Sequence, residues 1–287
     1  MHLLAATPGV LLDGTEAVDL GQTAGDMDGS IVGVGDPAAQ TKQVYARLGR
    51  AMESVGGKLE DIVTSKAYIT DVNLWPAMAD ARAGLFGGKP PTSTLLNISR
   101  LARPEFLIEV EAVGYLSRGS DSAAEAGSSS SRSRSQRESS EEVVGREEMA
   151  NVEHSQPKGM SPNNNRYTHV VKVGPWVSIA GQTASDENGD VVGIGDPAAQ
   201  TKQVFKNLTT AIESVGGTLK DIVKTTVYVV GEEHLDAIRE ARAGLFGDKP
   251  PTSTLLVISR LARPEFLLEI ERDGLTRYGP GEGQDER

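Results

Sequence analysis

The chain has 287 residues, is 38% hydrophobic and 24% charged, and carries no cysteine and a formal net charge of −11. The length suits two domains, and the missing cysteine removes disulfides, thiolate nucleophiles and Cys-ligated zinc. A negative chain repels a phosphate backbone, and aromatics at 5% offer few stacking platforms, so no nucleic-acid partner is expected.

In chain order, residues 17–21 form a β-prone run that ends in Gly21-Gln22-Thr23-Ala24. Asp36-Pro37 reads as an N-cap followed by proline at the first helical position. Val44, Leu48, Met52 and Val55 then fall on one helix face, and Gly56-Gly57 closes the helix. Residues 62–70 alternate as a strand, with Val63, Ala67 and Ile69 opposite Lys66. A second helix is expected from near Leu74 to Phe86, then strands near 94–99 and 105–113. The pattern ββαβαββ predicts an α+β domain with both helices on one sheet face.

The chain then repeats itself. Gly33–Val44 recurs at Gly193–Val204, Ala81–Gly87 at Ala241–Gly247, Pro90–Leu96 at Pro250–Leu256, and Leu101–Leu107 at Leu261–Leu267. The offset is constant at about 160, with about 50 identities in 80 positions, which marks two copies of one globular domain. The expected organisation is domain 1 over 1–117, a Ser/Arg/Glu-rich disordered tether over 118–160, domain 2 over 161–280 and a disordered tail over 281–287. No apolar run approaches the roughly 20 residues of a membrane span, and Met1–Pro8 lacks the basic region of a signal peptide. The expectation is a cytoplasmic protein with no membrane partner.

The last strand carries the candidate chemistry. Phe106, Ile108, Val110 and Ala112 form its apolar face, while Glu109 and Glu111 point the other way; Glu269 and Glu271 repeat the pair. Two carboxylates about 6–7 Å apart suit acid–base work if a partner covers them, or otherwise a solvated edge. Gly33-x-Gly35 reads as a turn before the Asp36 cap, not as a phosphate cradle. No histidine has a counterpart in the other copy and no metal-ligand spacing occurs, so neither cofactor nor metal is expected. Arg103 and Arg263, each before proline, either hold loop carbonyls or grip an acidic substrate. Arg82 and Arg242 read as solvated or interface residues of the second helix.

Gly181-Gln182-Thr183, the Asp196–Thr201 helix start, Gly216-Gly217-x-Leu219-x-Asp221-Ile222-Val223, Pro251–Thr254 and Glu269-Ile270-Glu271 together resemble the Rid (YjgF) family of trimeric imine and enamine deaminases. The resemblance covers nearly all of both copies. It implies a chorismate-mutase-like fold, a homo-oligomer with trimeric or pseudo-trimeric domain packing, and small-molecule clefts between subunits. It further implies that Glu269, and Glu109 in copy one, activate water, that Tyr167 is the active-site tyrosine, and that the Gly181 and Gly21 backbones lie beside the substrate. The family grips its substrate carboxylate with an arginine in a Pro-x-Arg-Ser run; here Ser93 and Ser253 stand there, and Thr7 stands at copy one's tyrosine position. A charged hydrogen bond lost to a substrate typically costs about 2–5 kcal/mol. Arg-lacking branches are associated with aminomuconate deamination and secondary metabolism. The expected function is deamination, hydrolysis or tautomerisation of a small enamine, imine or conjugated carbonyl, with Glu269, Tyr167, Ser253 and Gly181 forming the better site. The alternatives are a binding module without chemistry and, least compatible with the charge, a ribonuclease.

Overall fold

The structure, a computed structural model, describes residues 7–10, 16–116 and 152–275. The stretch 117–151 and residues beyond 275 lie outside the described residues, as do the side chains of the first strand, including Thr7.

Domain 1 runs β1 (Thr7–Val10), β2 (Glu16–Thr23), α1 (Pro37–Glu53), β3 (Ile62–Ile69), α2 (Trp75–Arg82), β4 (Thr92–Asn97) and β5 (Ile108–Leu116). Its sheet has the order β1-β2-β5-β3-β4, antiparallel except for the β3–β4 pair, which α2 connects. Domain 2 repeats this with β6 (Val152–Ser155), β7 (Val170–Val173), β8 (Trp176–Gln182), α3 (Pro197–Glu213), β9 (Ile222–Val230), α4 (Leu235–Ala241), β10 (Thr252–Ile258) and β11 (Leu268–Leu275). The order is β10-β9-β11-β8-β7-β6.

Local chemistry sets the elements. The Asp36 carboxylate accepts from the Ala39 amide at 3.0 Å, Pro37 fixes the first turn, and Gly56, at φ 85°, ends the turn beyond the helix. Val44, Leu48 and Met52 are fully buried against Val18, Ile108 and Val110 of the sheet. Gln40 clamps this helix to the last strand: its amide donates to the carbonyls of Gly33 and Glu105, and its oxygen accepts from the Leu107 amide. Gln200 makes the same three bonds in domain 2.

Three boundaries differ from expectation. The second helix stops at Arg82, because Gly84, Gly87 and Gly88 take left-handed conformations that carry the chain round to β4. The two final strands lie two to three residues away from the expected spans, at 92–97 and 108–116. The expected tether also does not reach residue 160. Val152–Ser155 pairs antiparallel with Val170–Val173, and Met160 is buried. Backbone pairing onto an existing sheet edge orders this polar stretch, whose side chains gave no apolar signal.

The sheet face away from the helices joins the domains. β4 packs on β8, where the Thr92 and Ser178 hydroxyls meet at 3.0 Å and the Thr168 amide donates to the Pro91 carbonyl. Two apolar clusters cross the junction: Val63 and Tyr115 with Val171 and Val173, and Leu96 with Tyr228, Leu261 and Phe266. Lys66 of domain 1 pairs with Glu271 of domain 2 at 2.5 Å.

Candidate active site

A cleft of about 320 Å³ opens at this junction, with Ser93 and Leu95 of β4 on one wall and Tyr167, Gly181 and Glu269 on the other. A larger hollow, about 460 Å³, lies nearby on the charged sheet face between Lys66, Lys224 and Glu271, but the Glu269 side chain does not border it.

Glu269 is brought here by strand alternation, which turns Leu268 and Ile270 into the core and the carboxyl toward domain 1. It is 4% exposed. Burial, reinforced by the neighbouring Glu271 and opposed by Lys66, pushes its carboxyl up to about 8. Glu271 is tied elsewhere, accepting from the Tyr228 hydroxyl at 3.0 Å as well as pairing with Lys66. The two carboxylates of the motif thus have different surroundings, and only Glu269 borders the cleft.

The glycine opposite is a requirement of space. A Cβ on Gly181 would collide with the Glu269 carboxyl and lie 2.9 Å from the Thr94 hydroxyl of domain 1. The Gly181 amide donates to that hydroxyl at 3.2 Å. β8 carries one extra residue here: Arg272 pairs with Ile179 but Ile270 with Gln182. Such a bulge re-aims the backbone beside a site. Copy one has none, since Leu20, Gly21 and Gln22 pair in step with Ala112, Glu111 and Val110.

Tyr167 enters from the loop before β7. Its ring meets His169 edge-on at 5.1 Å, and its carbonyl accepts from Asn163 at 2.7 Å. Asn164 and Asn165 hold left-handed conformations, which asparagine tolerates better than most residues. Burial raises the Tyr167 phenol; Ser161 opposes the shift and Glu269 adds to it. His169, which the sequence did not single out, is buried, with its Nε2 at 2.9 Å from the Ser161 carbonyl.

The serine of the site is not the expected one. Ser253 lies on the exposed edge strand β10, whereas Ser93, the same position in copy one, borders the cleft that Glu269 also lines. The reason is the direction of docking: domain 1 offers β4 and domain 2 offers β8 and β11. Copy one's own acidic face is correspondingly open. Gly21 is exposed, and Glu109 is half-buried, its carboxyl raised by burial and by Glu111. Arg103 and Arg263 hold loops: each donates to a carbonyl, of Gly29 and Gly189, stacks on Phe106 or Phe266, and lies beside Glu105 or Glu265. Arg263 also borders the cleft. Arg82, expected at the surface or an interface, is 6% exposed and also reaches the cleft. Among the described residues, no group of three His, Asp or Glu side chains is placed to hold a metal, and no helix is long and apolar enough to cross a membrane.

The model of one family, described as endoribonuclease L-PSP, matches twice, at residues 14–116 and 159–273. A RutC family protein of Pyrococcus abyssi is 34% identical over 116 residues, 40% of this chain and 87% of that protein. The 3-aminoacrylate deaminase RutC of Acinetobacter baylyi is 31% identical over 114 residues, 40% of this chain and 90% of the deaminase. Each of these single-domain relatives aligns with less than half of the chain, as a duplication requires. Among solved structures, a chorismatase covers 93% of this chain and 78% of its own at 16% identity with a TM-score of 0.58, a likeness of fold across both domains. Two matches in sequence order, each spanning one sheet-and-helix unit, make this chain a tandem duplication within the endoribonuclease L-PSP, or Rid, family.

Proposed function

We propose that the junction cleft hydrolyses a small enamine or imine to the corresponding carbonyl compound and ammonia. The observation that carries this reading is Glu269: a carboxyl sealed from bulk water, raised to about 8, beside a hollow of small-molecule size. A carboxyl poised there gives up and takes back a proton near neutral pH. In its protonated form it donates to the enamine carbon or imine nitrogen. The resulting carboxylate takes a proton from the water that attacks the C=N carbon. The carbinolamine then collapses: the C–N bond breaks as ammonia leaves with that proton, and the carbinolamine hydroxyl gives its own proton to the carboxylate as the C=O bond forms, which restores the protonated carboxyl. Tyr167 and the Gly181 backbone border the reacting end, and the likeness to a 3-aminoacrylate deaminase agrees with this chemistry.

The test is ammonia release from freshly generated enamines and imines. Turnover by the full chain that Glu269→Gln lowers by about a hundredfold or more supports the reading. No turnover across an imine, enamine and muconate panel at high protein overturns it. A second reading, ligand binding without chemistry, draws on the open copy-one face, where Gly21 is exposed and β2 lacks the bulge. Ligand-dependent rises in melting temperature without product would favour it. We further infer a homo-oligomer with trimeric or pseudo-trimeric domain packing, supported by the exposed strand β10, and a cytoplasmic setting, supported by the absence of cysteine.

A further inference from the structure

The charged sheet face holds a cluster of titratable groups that the proposed reaction does not use. Tyr68 of β3 donates to Glu111 at 2.8 Å, and its counterpart Tyr228 of β9 donates to Glu271 at 3.0 Å. The repeat breaks at one position of this cluster: Lys66 stands in copy one where copy two has Thr226. Strand alternation turns Ala67 and Ile69 into the core and Lys66 toward domain 2. There its Nζ pairs with Glu271 at 2.5 Å and lies 6.0 Å from the Tyr228 ring. The two side chains are 24% and 16% exposed, so water and salt screen the pair less than one at the open surface. Its members come from different domains, and the pair exists only while the domains are docked.

The pair bears on Glu269 because Glu271 is its neighbour on the same strand face, about 6–7 Å away. An ionised Glu271 opposes ionisation of Glu269, and a cation held against Glu271 offsets that opposition. The other titratable or charged groups near Glu269 are Tyr228 of β9, Tyr167 of the loop before β7, and Arg82, Arg166 and Arg263 at the cleft. Around Glu271 stand Tyr68 and Asp273, the latter beside Lys224. Lys66 itself borders the larger hollow and not the cleft, so it touches no substrate there. Copy one supplies the contrast. Glu111 has its tyrosine, but a domain docked on that face through β9 and β10 would bring Thr226, which carries no charge. The two acidic faces of the chain are therefore electrically unequal.

We propose that Lys66 is a positioning residue of the junction cleft: it holds Glu271 in an ion pair across the domain boundary and so sets the proton affinity of the neighbouring Glu269 carboxyl, only while the two domains are docked. This rests on the reading of Glu269 as the proton donor of the cleft and adds what governs that donor. The sign follows from charge alone. Without the lysine, Glu271 is uncompensated and Glu269 is harder to ionise. One charge at this distance in a half-buried setting moves a titration by on the order of one pH unit.

The experiment follows the Glu269 carboxyl by carbon-13 NMR in the full chain labelled with [δ-13C]glutamate, its resonance assigned by its loss in Glu269→Gln. Lys66→Met should raise the titration midpoint by about one pH unit, and Lys66→Arg should restore the wild-type midpoint to within about 0.3 unit. Glu271→Gln, which leaves the lysine in the chain, should lower it, and keeps the proposal testable if Lys66→Met does not fold. Lys42→Met removes the same charge from the exposed face of α1 and should leave the midpoint in place. An unmoved or lowered midpoint in a folded Lys66→Met, an unmoved midpoint in Glu271→Gln, or an equal shift in Lys42→Met would each overturn the proposal. In turnover, the alkaline limb of kcat/KM for enamine hydrolysis should move up with the midpoint, because the protonated carboxyl is the donor. The resonance titrates whether or not the chain releases ammonia. A midpoint that depends on Lys66 without turnover leaves the tuning standing and removes the hydrolase, whereas turnover with a midpoint indifferent to Lys66 does the reverse.

Discussion

Glu269 makes its own contribution to the pH dependence of stability. Its carboxyl is raised from 4.5 to about 8 on folding, chiefly by burial. Between those values the folded state holds a proton that the unfolded state has released, so stability is greatest below pH 4.5 and falls as pH rises toward 8. The slope is on the order of 1.4 kcal/mol for each pH unit crossed. Asp273, also raised by burial, acts in the same direction. Glu269→Gln carries no such charge. The variant should therefore lose activity, show a shallower fall in urea midpoint from pH 5 to pH 8, and exceed wild type in stability at pH 8. A variant less stable than wild type at pH 8 would mean that the carboxylate is well solvated when ionised. The glycines give a paired prediction. Gly181→Ala forces the Glu269 carboxyl aside and should abolish turnover at a cost of about 1–3 kcal/mol. Gly21→Ala, with nothing within 4 Å of the added carbon, should change stability by less than about 0.5 kcal/mol.

Elements were legible in the sequence where their signals were local. The Asp36-Pro37 cap, the apolar stripe of α1 and the alternation of β5 each specify one backbone conformation from neighbouring residues alone. The Gln200 clamp joins residues 65 and 67 positions apart, and no spacing rule reveals it. It fixes the turn before β11, which carries Arg263 and Phe266 at the cleft. Gln200→Leu leaves two carbonyls and the Leu267 amide without partners, so a loss of about 2–4 kcal/mol is expected in urea unfolding. The exposed Lys202→Ala serves as the control, and an equal loss there would refute a specific role for the clamp. The choice between Ser93 and Ser253 was illegible for another reason. Pro90–Leu96 and Pro250–Leu256 are the same seven residues, and which copy is covered depends on domain docking. The bulge in β8 and the seat of Arg82 against Tyr45 and Phe86 were hidden likewise, because pairing register and aromatic stacking are tertiary outcomes.

The same identity of sequence bears on the whole molecule. Leu96 is 2% exposed under domain 2, while its counterpart Leu256 is 45% exposed, with Val257 beside it at 52%. The open strand β10 is thus a copy of β4, and the open face around Gly21 and Glu109 is a copy of the surface on which β4 docks. One chain therefore presents both halves of a head-to-tail contact, unused, at its two ends. Such an interface continues from chain to chain until a ring closes. Exposed β-branched and leucine side chains on a sheet edge also invite unplanned pairing unless a partner covers them. Light scattering should accordingly find a multiple of the chain mass. Leu256→Lys with Val257→Asp should reduce it to one chain and leave the junction cleft and its Glu269-dependent turnover intact, since neither residue borders that cleft. A wild-type chain that stays single at high concentration would show that the β10 surface serves no second copy. If the double variant instead dissociates and loses turnover together, the cleft within one chain must depend on the contact between chains.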